Sequence, residues 1–185
     1  MAKIKGVALL SRLAVVKERY GEDGLKAVLA NMKSQNRELL GSVIPSSWYD
    51  GEIYVDFNQA IQKTLGKKDP DVMEHIGEMS ADAGLTGIYS SRLKAGDVRQ
   101  TLSRASILWK SFHDTGEPIV ELEPDRNQAI FRIADYELPH PESCRNLVGW
   151  VRRMIELSGG KNARVTERKC ICRGDDCCEM IALWE

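Results

Sequence analysis

Four of the five cysteines in this chain fall within nine residues, at Cys170, Cys172, Cys177 and Cys178, inside the terminal stretch TERKCICRGDDCCEMIALWE. Two alternating runs, Ala163 to Cys172 and Cys178 to Trp184, flank the polar Arg173-Gly174-Asp175-Asp176. The pattern predicts a β-hairpin in which Gly174 supplies the permissive backbone of the turn. Adjacent Cys177 and Cys178 cannot bridge each other without strain, and a disulfide framework would spread its cysteines along the chain. Reduced thiols are therefore expected, as in a cytoplasmic protein. Metal binding is the first chemical reason to test for such a cluster, and zinc prefers thiolate and imidazole with an occasional carboxylate. Inert packing and a redox role for Cys177-Cys178 are the alternatives.

Strand periodicity limits the ligand sets. Cys170 and Cys172 share a face of a regular strand, whereas Cys177 and Cys178 point to opposite faces, so one of that pair turns away. Glu167, three residues before Cys170, has the wrong parity and joins the cluster only through a bulge or a strand end. Cys144 and His140 are the remaining candidates outside the hairpin.

The rest of the chain reads as helices followed by strands. Helical spacing runs over Ile4 to Tyr20, Glu22 to Met32, Gly51 to Leu65, Asp71 to Leu93 and Asp97 to His113, with a short turn at Asn36 to Leu40 and a loop at Ser42 to Asp50. The fourth helix carries Gly77, Ser80, Ala81, Ala83, Gly84 and Gly87, small residues that admit either a close helix neighbour or a ligand. A second hairpin is predicted from Pro118 to Leu122 and Ala129 to Ala134. A helix from Glu142 to Ser158, stopped by Gly159-Gly160, separates the hairpins. The order implies an α+β fold: N-terminal helices, then β-β-α-β-β forming a four-stranded antiparallel sheet packed with helices. One domain is expected over residues 1–185, with a helical part over 1–116 and a β-β-α-β-β part over 117–185.

Composition excludes several functions. With 185 residues and a net charge of −1, cations and acids interspersed, no field recruits nucleic acid. No apolar run reaches the roughly 20 residues of a membrane span. The N-terminal MAKIKGVALLSRLAVV is interrupted by Ser11-Arg12 and reads as an amphipathic helix. No nucleotide loop, Ser-His-Asp pattern or paired-carboxylate motif stands out, so no enzyme is expected.

Residues Pro141 to Cys178, written P-x-x-C-(x5)-W-(x16)-E-x-x-C-x-x-x-G-x-x-x-C, resemble the end of the sensor domains of phenol-responsive NtrC-type activators. Those belong to the vinyl-4-reductase domain family, within the fold group that includes TRAPP trafficking subunits and haem-nitric-oxide-binding domains. The whole chain also resembles a stand-alone family of myxobacterial paralogues. The resemblance implies a structural zinc held by Cys144, Glu167, Cys170 and Cys178, and a homodimer. It places a ligand pocket near Trp109, Phe112, His113 and Phe131, although Phe131, where the family carries Trp, lacks that residue's hydrogen-bond donor. The chain lacks the ATPase and DNA-binding modules of those activators. The expected function is a non-catalytic, cytoplasmic sensor or signalling adaptor whose partner is an apolar small molecule, a lipid or a signalling protein. A TRAPP-type interaction module without a soluble ligand is the alternative.

Overall fold

The computed structural model describes residues 2–87 and 90–185. Its N-terminal segment is a short strand, β1 (Lys3–Lys5), and not the start of a helix; it pairs antiparallel with β2 (Trp48–Asp50), inside the stretch read as a loop. Three-residue strands carry too little alternation to be read from sequence. They are fixed by distant partners instead: the Lys5 amide donates to Phe112 O at 2.8 Å and the Gly51 amide to Ala2 O at 2.9 Å.

Helix α1 (Gly6–Ala30) is interrupted at Gly21, whose φ of 72° is where the sequence places the boundary between two helices. Then come α2 (Ser34–Leu40), α3 (Glu52–Leu65) and α4 (Val72–Thr86). The fourth helix is shorter than expected, and residues 88 and 89 of its expected C-terminal part lie outside the described residues. The expected fifth helix divides into α5 (Val98–Leu102) and α6 (Ala105–Lys110). Side-chain oxygens compete with the helical ladder there. Asp97 caps α5 by accepting from the Gln100 amide at 2.8 Å, and the Ser103 hydroxyl donates to Gln100 O at 2.8 Å.

Four strands follow with one helix between them: β3 (Glu117–Leu122), β4 (Gln128–Ala134), α7 (Pro141–Leu157), β5 (Arg164–Lys169) and β6 (Cys178–Leu183). They form one antiparallel sheet in the order β3-β4-β6-β5. The fold is α+β, as the element order implies. One apolar core lies among α1, α3 and α4, with Phe57 and Ile61 at its centre. A second lies between the sheet and α4 and α7, around Phe131, Met154 and Met180.

The most extensive helix contact is α4 against α7. Glycine is required on both sides of it. A Cβ on Gly77 would lie 2.0 Å from Asn146 O, and one on Gly149 would lie 2.0 Å from Glu74 O. The small residues of α4 thus serve both uses that the sequence allows, because Gly77 admits a helix neighbour while Ser80, Ala83 and Gly84 line a cavity. Arg152 and Arg153 of α7 reinforce the crossing through Glu74, Glu78 and Asp82 of α4.

Gly77→Ala and Gly149→Ala should each cost about 2 kcal/mol or more, since backbone carbonyls must move to relieve the overlap. Gly84→Ala, whose Cβ meets nothing within 4 Å, should gain about 0.5–1 kcal/mol from helix propensity. Urea unfolding of the three variants checks both directions, and equal effects at all three positions would contradict the packing account.

Candidate functional site

A cavity of about 430 Å³ lies between the helices and the inner face of the sheet. Most of its wall is apolar: Val7 and Leu10 of α1, Leu108 and Trp109 of α6, Trp150 and Met154 of α7, Phe131 and Ile133 of β4, Met180 of β6. The residues expected to form a pocket, Trp109, Phe112, His113 and Phe131, all lie on this wall. Ala83 is exposed and Gly84 half-buried, so the cavity meets solvent along this part of α4.

The polar part of the wall is built around Arg12, only 3% exposed. Its Nε donates to Asn58 Oδ1 at 2.6 Å, and its Nη2 donates to the Tyr54 hydroxyl at 2.5 Å and to Asn146 Oδ1 at 2.7 Å. The guanidinium also lies 4.0 Å from the centre of the Tyr54 ring. Asn146 then donates to Met73 O at 3.1 Å and Asn58 to the Ser143 hydroxyl at 3.1 Å, so the network touches α1, α3, α4 and α7. All of these acceptors are neutral. Among the described residues no carboxylate pairs with Arg12. Burial pushes its pKa down and contact with Tyr54 pushes it back up, and a guanidinium stays charged across the accessible pH range. Sequence reasoning missed Arg12, Tyr54, Asn58 and Asn146 as site residues. The signal was that Arg12 lies on the same helical stripe as buried Ala8, Val15 and Val16.

Beside this network sits His113, stacked on Trp109 with ring centres 4.0 Å apart and planes 15° apart. Tyr54 and Tyr136 meet the imidazole edge-on at 6.0 and 5.5 Å, and the Tyr136 hydroxyl lies 3.3 Å from Nδ1. Burial, helped by the Arg12 charge, pulls the His113 pKa down to about 3. Burial likewise pushes the Tyr136 phenol well above its ordinary range. His113 is therefore a neutral polar part of the cavity wall. The other two histidines lie elsewhere, His75 beside Asp69 at 2.9 Å and His140 beside Gln59 at 2.7 Å.

The thiols gather at the junction of α7 and the terminal hairpin. Cys144, Cys170 and Cys178 form a buried group with Ile171 against it. Cys170 Sγ lies 3.6 Å and Cys178 Sγ 3.9 Å from Cys144 Sγ. Cys178 faces inward and Cys177 turns away, the split that strand parity requires. The turn itself is a short 3₁₀ segment, Ile171–Arg173, closed by Gly174 at φ 92° and by Asp175, which accepts from the Cys170 amide at 2.7 Å. The Cys144 thiol donating to Cys178 holds the Cys178 pKa down and its own up. Cys144 and Cys178 also lie on the cavity wall.

A register shift between Glu167 and Lys169 supplies the bulge that parity demands for Glu167. Its Oε2 is bound by Arg173 while Oε1 is buried without a hydrogen-bond partner, and the sulfurs that lie within 4.8 Å of one another belong to Cys144, Cys170 and exposed Cys172. The expected group of Cys144, Glu167, Cys170 and Cys178 is thus assembled only in its three thiols.

No protein-family model matches the sequence, and no curated protein matches it significantly. Solved structures do match its fold. An H-NOX protein from K. algicida, described as Fe(II) unliganded, aligns with a TM-score of 0.72 and 11% identity, covering 98% of this chain and 96% of that one. An H-NOX protein from S. oneidensis in the Fe(II)NO state aligns at 0.70 with 16% identity over 98% and 99%. The Fe(II)CO form of an H-NOX domain from Shewanella oneidensis gives 0.71, 16%, and 98% of both chains. The likeness establishes an H-NOX-like α+β fold for this chain.

It also corrects the expected structural zinc. The structures that share the whole fold are described by their iron or haem, and in this chain one oxygen of the fourth expected ligand, Glu167, is engaged by Arg173. Nor do the residues here fit a haem. The one histidine on the cavity wall is covered on one face by Trp109 and met at its edges by two tyrosines. Arg12, the only cation on the wall among the described residues, already spends three N–H groups on neutral side chains, leaving too little for two propionates.

Two predictions follow from these geometries. Below pH 6.5 an unfolded chain protonates His113 while the folded protein does not, so stability should fall as pH drops from about 6.5 toward 3, by at most on the order of 5 kcal/mol from this residue. Chemical denaturation at pH 7, 5.5 and 4 should show a shallower loss in His113→Phe; parallel slopes would remove His113 as the cause. With a thiol reagent such as dithionitrobenzoate, Cys172 and Cys177 should react in the folded protein, while Cys144, Cys170 and Cys178 should react only on unfolding.

Proposed function

We propose that this chain is a non-catalytic small-molecule sensor or adaptor of the vinyl-4-reductase type, which binds an apolar ligand in the cavity between α1, α4, α6, α7 and the sheet. The observation that carries the reading is the cavity itself. It has the size of a small-molecule site, an apolar wall and a few convergent polar groups, and it interrupts a core that is otherwise closely packed. The fold is one in which solved proteins are described with NO and CO ligation states, which supports a ligand-binding role for this architecture. A neutral, buried His113 without a carboxylate partner is a poor acid or base near neutral pH, which supports a non-catalytic role. The reading places the protein in the cytoplasm as a homodimer, in which occupancy of the cavity changes a surface that a signalling partner contacts. No helix of the described residues is long and apolar enough to cross a membrane.

An interaction module without a soluble ligand is the second reading. Exposed Ile107 and Ile119 favour it, since α6 and β3 lie against each other and present both to solvent.

Titration with N-phenyl-1-naphthylamine separates the two. Trp109 and Trp150 lie on the cavity wall, so binding should quench tryptophan emission and raise the melting temperature. Gly84→Phe, which fills the cavity from α4, should keep the helical circular-dichroism signal and lose the probe. Failure of apolar compounds to shift melting, with Gly84→Phe indistinguishable from the parent, would favour the interaction module.

A further inference from the structure

We propose that the ligand is an amphiphilic monocarboxylate, with its carboxylate on Arg12 and its apolar body in the remainder of the cavity. The inference rests on the reading of the cavity as a ligand site and goes on to name the ligand's chemistry.

Among the described residues Arg12 is the only charged side chain on the cavity wall, and it is almost wholly buried. Removing a permanent charge from water costs several kcal/mol unless an opposite charge meets it. Three neutral oxygens and the face of Tyr54 solvate the guanidinium but leave its charge uncompensated among the described residues. A side chain serving only as a strut between helices could be replaced by a neutral amide; a fixed positive charge beside a cavity suits an anion.

The donors are also arranged for one. Arginine has five N–H groups, and Nε and Nη2 account for the three hydrogen bonds seen, so the pair on Nη1 has no partner among the described residues. The Ser11 hydroxyl, next in sequence, is buried on the same wall without a hydrogen-bond partner, and so is that of Ser80. Tyr54 accepts from Arg12 through its hydroxyl, which keeps its own proton to give. A carboxylate oxygen accepts from Nη1 and brings the charge that the guanidinium lacks, whereas an alcohol or a phenol accepts there and leaves the charge unmet. The number of anions follows as well: one cation and an apolar remainder admit a single carboxylate. A dicarboxylate or a phosphate monoester would bury a second negative charge against Leu, Trp and Met.

The test uses matched pairs in calorimetric titrations at pH 7.5, decanoate against decanol and 2-naphthoate against 2-naphthol, with methyl decanoate as the uncharged isostere. The acid should bind at least about tenfold more tightly than its neutral partner, and Arg12→Gln should abolish that preference. Gly84→Phe should remove all of these compounds together. Because Arg12 also ties α1 to α3 and α7, carboxyl-¹³C-labelled decanoate bound to the unaltered protein supplies a readout independent of that variant. Its carboxyl resonance should titrate about one pH unit or more below that of the free acid, beyond the effect of an apolar site, which moves it the other way. Neutral compounds binding as tightly as the acids, or a bound carboxyl titrating above its free value, would overturn the proposal and leave the apolar cavity standing. No binding by any compound would overturn both.

Discussion

A positive charge taken out of water dictates much of this architecture. Arg12 projects from α1 into the place where α3, α4 and α7 converge, and it can stay there only because each of those helices contributes, directly or through one relay, to its solvation. Asn58 and Tyr54 lie one turn apart on α3, so both reach the same guanidinium. Asn146 reaches it from α7 only because α7 lies almost in backbone contact with α4, where Gly77 leaves no side chain in the way. The glycines and the arginine are therefore coupled constraints: widening the helix crossing would draw Asn146 from its partner. Polar networks of this kind specify one arrangement of helices more sharply than apolar packing alone.

The layout of the fold was largely legible in sequence because its long elements carry strong periodicity. The helix at 141–157, the two hairpins and the break at Gly21 all follow from apolar spacing and turn residues. What the sequence concealed was short or nonlocal. Three-residue strands at Lys3 and Trp48 exist because distant carbonyls receive their amides, and the split between α5 and α6 depends on serine and aspartate oxygens competing within a single turn.

The candidate site was legible in proportion to how far its residues resemble ordinary ligand residues. Aromatic Trp109, Phe112 and Phe131 and the cysteines draw attention by type. Arg12, Tyr54 and Asn146 do not, since a single arginine in an apolar helix reads as an interruption until its neighbours in space are known. Glu167 shows the opposite failure. Its spacing to Cys170 and Cys178 is what a ligand set would require, and a bulge even corrects its parity, yet Arg173 from the same turn takes one oxygen of its carboxylate and leaves the other buried without a partner. Spacing fixes which atoms can meet and says nothing of which competing partner takes them.

Cys144 and Cys178 belong to two environments at once, since each forms part of the cavity wall and part of the thiol cluster beneath the terminal hairpin. A wall shared in this way makes the two compartments thermodynamically conjugate. Under the proposed function, an alteration in the packing of those sulfurs that changed the affinity of the cavity by some factor would, by reciprocity, be favoured or opposed by a cavity ligand by the same factor. The last hairpin of the chain is thus a lever with one arm inside the protein and the other, through Cys172 and the Arg173 turn, in solvent.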